Sequence, residues 1–249
     1  MEKHRLPDTP FWVDPESVAS DHLTLSATES HHLLRVHRAR EGTPFEATDG
    51  QGNLYRCSVR SVERRAVIGK IQDRARDVGE LKRPFEILVG MPEWGPVEQI
   101  VEHGVPLGVS LFDFVPCERS THVILGAQRL ARLDRIARAG LKQSRRTRLP
   151  ALRSSASLEE AVAAAAAGTR LVADPEGPVA APGTVTAQGA ISLAVGPPGG
   201  FTPEEHDFLR AQGFEPISLG PSRLTTETAS IALISVIRNI LQSSELPPH

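Results

Sequence analysis

Cysteine is nearly missing from this chain. Cys57 and Cys117 are the only two among 249 residues, they form no CxxC pair, and no matching histidine cluster accompanies them. Neither a disulfide framework nor a zinc site is indicated, and no metal is expected. Long apolar runs are missing too. No stretch approaches the roughly 18 consecutive apolar residues that a membrane span requires, and the opening "MEKHRLPDTP" has no apolar region behind its charges. A soluble, cytoplasmic protein without a membrane partner is expected.

What is present begins with enough apolar material, 40% of residues, for one large core or two modest domains. The net charge of −2 conceals a pattern. Residues 31–83 carry 12 Lys and Arg against 7 Asp and Glu, and residues 128–153 carry 9 against 1. The rest is acidic, with 2 against 6 in 1–30, 1 against 6 in 84–127 and 4 against 10 in 154–249. Two basic patches on an acidic chain suggest a polyanion bound at defined places. The alternative is that "RLARLDRIARAGLKQSRRTR" is simply an exposed arginine-rich helix face.

The rhythm of the sequence divides it into two domains, 1–78 and 79–249. From Leu23 to Gln72 short β-like pieces alternate with turns, and "DGQGN" between two alternating runs predicts a hairpin. "DVGELKRP" at 77–84 breaks the pattern and reads as the linker. Beyond it, strand-like runs at 85–90, 109–115, 170–174, 191–196 and 216–220 alternate with helical segments. That alternation predicts a parallel sheet covered on both faces. The alanine run 161–167 reads as helix filler.

Two stretches stand out, "VGPPGGFTPE" at 195–204 and "LGPSRLTTETAS" at 219–230. Each follows a strand-like run and opens into a stiff loop poor in side chains. Thr202 is a candidate N-cap, Pro203 the first helical residue, Glu205 the partner in a capping box and Gly213 the stop. "GPPGG" therefore lies between a strand end and a helix start, the crevice where open α/β sheets bind ligands. A phosphate loop would need a lysine and a hydroxyl at fixed spacing, and the acidic helix start would repel phosphate. A dinucleotide site would want an acidic residue about 20 positions on, where the chain reads "SLGPS". An uncharged or cationic ligand fits better, and S-adenosylmethionine, a sulfonium carrying an adenine, has that chemistry.

"GPPGGFTPEE", "GFEPISLG" and "LTTETA", in that order near the C-terminus, resemble the RsmE family of small-subunit (16S) ribosomal RNA uridine-N3 methyltransferases. "HHLLRVHRAREG" followed by "DG", "PLGVSLFDFVPCERS" and "LKQSRRTRLP" extend the resemblance over about residues 20–242. It implies an N-terminal PUA-like β-barrel for RNA. It implies next a SPOUT-class α/β domain with a parallel sheet and a C-terminal trefoil knot, acting as a homodimer on ribosomal RNA or the small ribosomal subunit. Carried over by motif, Gly196, Gly199, Gly200, Leu219, Gly220, Leu224, Thr226 and Thr228 would hold S-adenosylmethionine. Core packing is the alternative for Leu219 and Leu224. Arg35, Arg38, Arg145 and Arg146 would meet RNA phosphates. Glu227, Arg223 and His103 are the catalytic candidates, with structural roles as the alternative for Glu227 and His103.

The chain departs from the family pattern at five charged positions. Pro198 replaces a glutamate, Ser222 and Thr225 replace arginines, and His103 and Pro106 stand at a lysine and a glutamate, while Arg223 occupies an isoleucine position. An intact glycine loop preserves cofactor binding in this reading. The replacements leave open a paralogue that binds cofactor and RNA with a different target or no activity, and, more distantly, a plain RNA-binding module.

Overall fold

The computed structural model describes residues 7–121, 125–181, 183–185 and 188–245, with the backbone alone at 244 and 245. The chain forms two compact units, Met1–Glu80 with Arg138–Leu149, and Leu81–Ala137 with Pro150–His249. The expected linker at 77–84 spans the first change of unit. The return of residues 138–149 to the first unit is a discontinuity that a single cut of the chain cannot provide.

In the first unit, β1 (Phe11–Trp12), β2 (His22–Thr24), β3 (Pro44–Thr48), β4 (Asn53–Glu63) and β5 (Ala66–Arg76) form one sheet in the order β1-β3-β4-β5-β2. The expected "DGQGN" hairpin joins β3 to β4. Asp49 fixes it by accepting hydrogen bonds from the Gln51 amide at 2.8 Å, Asn53 Nδ2 at 2.6 Å and the Tyr55 hydroxyl at 2.8 Å. Gly50 and Gly52 take the left-handed conformation that the turn needs (φ 74° and 93°). Helix α1 (Ala27–Arg35) starts at Ser26, whose hydroxyl accepts from the Glu29 amide. Leu33 of this helix joins Leu23, Phe45, Tyr55 and Val67 in the core.

The second unit is built on six parallel strands in the order β11-β9-β10-β6-β7-β8. They are β6 (Phe85–Gly90), β7 (Leu111–Val115), β8 (Ala151–Arg153), β9 (Gly168–Ala173), β10 (Ala190–Val195) and β11 (Glu215–Ile217). All six residues of β10 are buried, which is why "AISLAV" reads as a continuous apolar run and not as an alternating one. Helices α2 (Trp94–Gly104), α4 (Leu158–Ala164), α5 (Pro203–Ala211) and α6 (Thr226–Glu245) connect and follow the strands, and α3 (Ala127–Ser144) belongs to this unit as far as Ala137.

Three details differ from expectation. The run 216–220 supplies only Pro216 and Ile217 to strand β11, which starts one residue earlier at Glu215, because the chain then turns into the second loop. Strand β8, too short to show periodicity, is pinned by buried Asp113, which accepts from Arg153 Nε and the Ser155 hydroxyl, both at 2.8 Å. The alanine run leaves the helix at Ala165, which turns extended, and the Ala166 amide donates to Glu86.

Candidate cofactor cleft

A cleft of about 670 Å³ opens at the carboxyl ends of β9, β10 and β11. Four glycines, Gly196, Gly199, Gly200 and Gly220, are among its lining residues. On one side is the loop 196–201, and on the other the second loop, from Ser218 through Gly220 and on to Glu227 at the start of α6. Glu93 and Pro96 at the start of α2, together with Thr121, Asp174 and His206, close the rest.

The glycines of the first loop serve different ends. A Cβ on Gly196 would stand 2.8 Å from the Phe201 amide and 3.0 Å from the Gly200 backbone, so this glycine lets the loop fold against itself. Gly199 and Gly200 are left-handed (φ 94° and 75°), and a Cβ on Gly200 would enter open space. The Gly200 amide closes the turn on the Pro197 carbonyl at 2.8 Å.

Neighbouring segments hold the loop from outside. Arg119 Nη1 donates to the carbonyl of Gly199 at 2.7 Å, and the Thr226 hydroxyl donates to that of Gly196 at 3.0 Å. The expected capping box is present. Thr202 accepts from the Glu205 amide, Glu205 accepts from the Thr202 amide, Pro203 opens α5, and Gly213 follows its end with φ 82°. The second oxygen of Glu205 accepts from the Glu118 amide at 2.9 Å. Nearby, burial pushes the Cys117 thiol up to about 12, and Glu205 adds to that. Hydrogen bonds to its own amide and to Thr202, together with the charge of Arg119, hold the exposed Glu204 carboxyl below its ordinary range.

The charged side chains on the described lining are Glu93, Asp174, Glu227 and Arg223. A surplus of carboxylates suits a ligand bearing positive charge. His206 packs edge-on to Phe201, 5.6 Å between ring centroids, with its Nδ1 buried and lacking a hydrogen-bond partner.

Of the residues singled out from sequence, Gly196, Gly199, Gly200, Leu219, Gly220, Leu224 and Thr226 line the cleft, as do Glu227 and Arg223. Leu224 is 42% exposed and so is not a core residue. Thr228 lies off the lining and binds Thr225, their hydroxyls 3.0 Å apart. His103 is exposed in the last turn of α2 and also lies off the lining. Sequence reasoning missed Asp174, Glu93 and His206. Only Asp174 carried a signal, as an acid at the end of the strand-like "RLVAD".

The four arginines expected at RNA separate in the first unit. Arg35 and Arg38 are exposed. Arg145, its side chain 42% exposed, pairs with Glu46. Arg146 is 2% exposed, and Glu80 receives its Nη2 at 2.6 Å along with the amides of Thr147 and Arg148, each at 2.8 Å. A guanidinium buried against its own carboxylate serves the fold.

A parallel sheet with a glycine-lined cleft at its strand ends, in a chain that also carries a separate β-rich unit, has a counterpart among known families. Residues 79–238 match the model of an RNA methyltransferase domain and residues 25–72 that of an RNA methyltransferase PUA domain. The chain belongs to the RNA methyltransferase domain family.

More particularly, it is similar to proteins named Ribosomal RNA small subunit methyltransferase E. The one from Synechocystis is 28% identical over 239 residues, covering 93% of this chain and 77% of its own. The one from Mycobacterium tuberculosis is 28% identical over 91% of this chain and 90% of its own. Among solved structures, the methyltransferase E of Neisseria gonorrhoeae, bound to S-adenosyl methionine, superposes with a TM-score of 0.81 at 25% identity, covering 93% of this chain and 97% of that one. A probable rRNA-methyltransferase from Porphyromonas gingivalis gives 0.81 at 26% identity, with 95% and 100% covered.

Proposed function

We propose that this protein is an S-adenosylmethionine-dependent RNA methyltransferase acting on N3 of a uridine in small-subunit (16S) ribosomal RNA. The observation that carries this reading is the cleft itself. It lies at parallel strand ends, is walled by glycine-rich backbone and edged by carboxylates, in a chain related throughout to small-subunit rRNA methyltransferases. Its volume of about 670 Å³ falls within the range of cofactor sites. The open space beside Gly200 gives a ligand direct access to main chain.

Residues 196–200, Leu219, Gly220, Leu224 and Thr226 would hold the cofactor, while Asp174 and Glu93 would favour its positive charge. When bound, S-adenosylmethionine supplies an electrophilic methyl group. Methylation at N3 also requires the N3 proton to leave, and Glu227, on the cleft wall, is the group assigned to accept it. Arg223 on the same wall would stabilise the negative charge developing on the uracil oxygens. His103, outside the lining, is given no part. Arg35, Arg38 and Arg145 are assigned to RNA phosphates, and Arg146 is left to the fold.

We further propose a homodimer, a trefoil knot and a cytoplasmic location. α6 buries Ile234, Ile237 and Leu241 yet leaves Val236 and Ile240, one turn apart on one flank of that stripe, half-buried and available to a second copy. The knot is proposed on the family resemblance, and the hydrogen bond from Thr226 to Gly196 ties the second loop to the first. No helix among the described residues is long and apolar enough to cross a membrane. Ribosomal RNA, the proposed substrate, supports the location.

A second reading, a paralogue with another target or none, draws on one observation. Three of the five departures from the resembled family, Pro198, Ser222 and Thr225, lie on the cleft lining. Incubation with labelled S-adenosylmethionine and small-subunit ribosomal RNA tests the proposal. Transfer of label to RNA is expected, and cofactor binding without transfer would favour the second reading.

A further inference from the structure

We propose that the free end of the β4–β5 hairpin is a phosphate-contacting prong, in which Arg60, Arg64 and Arg65 meet the backbone of the RNA substrate. The inference rests on the RNA methyltransferase reading and extends it to a surface which that reading does not use.

The first observation is overhang. Pairing of β3 with β4 ends at Pro44 opposite Ser58, apart from two further bonds at Val59, whose amide donates to the Thr43 carbonyl and whose carbonyl accepts from the Gly42 amide. Pairing of β2 with β5 ends at Thr24 opposite Ile68, with one further bond between Leu25 and Val67. From Arg60 to Ala66 the two strands therefore have only each other within the sheet. Such an end contributes little core, and Val62, Glu63, Arg64 and Arg65 are all exposed.

The second observation is backbone conformation. Arg64 and Arg65 form the two-residue turn and are both left-handed (φ 46° and 72°). Hairpins of this kind favour Asn-Gly, because those residues enter that region with least strain. Arginine has no such advantage, and strain that persists on a surface points to use. Arg60 is irregular as well. Val59 faces Gly69 and Ser61 faces Ile68, so Arg60 is the extra residue of a β-bulge, a device that re-aims a side chain. Three arginines thus stand at the three irregular backbone positions of one overhanging end.

The third is charge. Arg60 is 58% exposed and meets Asp21 only across an exposed 3.8 Å pair, which leaves its guanidinium available. Glu63 is the acid at the tip itself, held toward Ser61. A narrow, twisted, arginine-tipped ribbon suits a polyanion backbone, since guanidinium groups bind phosphate with charge and a fork of donors.

The test is the double substitution Arg64→Asn with Arg65→Gly, which removes two charges and installs the residues the turn prefers. A structural and an RNA-binding role then move in opposite directions. Expected are an unchanged or slightly raised Tm and unchanged S-adenosylmethionine affinity. Affinity for protein-free small-subunit ribosomal RNA should fall about ten-fold, and the plot of log affinity against log salt should become shallower by about 1 to 2. Arg64→Lys with Arg65→Lys, which keeps both charges in the same turn, should retain the wild-type slope.

An unchanged slope in the Asn-Gly variant of a protein that binds RNA overturns the prong and leaves the function standing. Loss confined to assembled small subunits, with bare RNA bound as before, would assign the tip to a ribosomal protein and also overturns it. A shallow slope in the lysine variant would mean that turn shape matters and charge does not, which overturns the prong as well. Wild-type protein with neither salt-dependent RNA affinity nor methyl transfer removes the function and the prong together.

Discussion

Two arginine pairs, Arg64–Arg65 and Arg145–Arg146, are alike in sequence and opposite in structure. Each lies in a basic stretch, and three of the four residues are left-handed. At Arg145 the helix end accounts for the conformation. The amides of Arg145 and Arg146 close onto the carbonyls of Lys142 and Leu141, and the side chains reach Glu46 and Glu80. At Arg64 and Arg65 the turn demands the conformation but not the residue, and both side chains are exposed. What separates the anchored Arg146 from the available Arg64 and Arg65 is a largely buried carboxylate distant in sequence, which a count of charges along the chain cannot see, and Arg145, half exposed beside Glu46, stands between the two cases. The cleft repeats the contrast, for Gly196 is closed in by its own loop while Gly200 faces open space.

Substitution at the anchored end should have the largest effect on stability. Arg146→Ala leaves the Glu80 carboxylate, 8% exposed, without its charged partner, and should destabilise by about 3–5 kcal/mol. Urea denaturation measures this, and a loss below about 1 kcal/mol would erase the contrast between the arginine pairs. Arg145→Ala should lose only about 1 kcal/mol, because its side chain is 42% exposed and Arg56 remains 3.5 Å from Glu46.

At the cleft, Gly200→Val should lower S-adenosylmethionine affinity by about 100-fold, because the side chain enters the ligand's space. The left-handed backbone adds a strain of about 1–2 kcal/mol, which the fold survives. Gly196→Ala should instead cost stability, about 1–3 kcal/mol, since its Cβ collides with backbone. Calorimetric titration beside thermal melting separates the two. Normal cofactor binding by Gly200→Val would move the ligand elsewhere.

The smallest effect near neutral pH concerns the thiols. Burial raises Cys57 to about 12, and burial with the Glu205 charge does the same for Cys117. A thiol raised on folding contributes stability that is complete below the ordinary thiol range and is lost as pH climbs toward 12. Iodoacetamide at pH 8 should therefore modify the native protein slowly and the urea-unfolded protein quickly. Equal rates would mean that Cys117 is open to solvent.

Much of this was legible in the sequence where local chemistry decides structure. The "DGQGN" hairpin, the capping box of α5 and the buried run of β10 each carry their cause within ten residues. So did most of the cleft, because glycine loops after strand ends announce themselves. Long-range pairing was invisible. Arg146 with Glu80, Asp113 with Arg153, and the return of residues 138–149 to the first unit join positions far apart. His103 was assigned by motif position alone, and α2 turns it to solvent. His206 stands in an ordinary helical turn, with nothing local to mark it.

Mass spectrometry of nucleosides from small-subunit ribosomal RNA, incubated with the protein with and without S-adenosylmethionine, tests the proposed activity most directly. 3-Methyluridine should appear only with cofactor, and Glu227→Gln, with cofactor affinity intact, should slow its formation by roughly 100-fold or more. A different methylated nucleoside, or no methylated nucleoside from protein that binds both cofactor and RNA, would contradict uridine-N3 methylation.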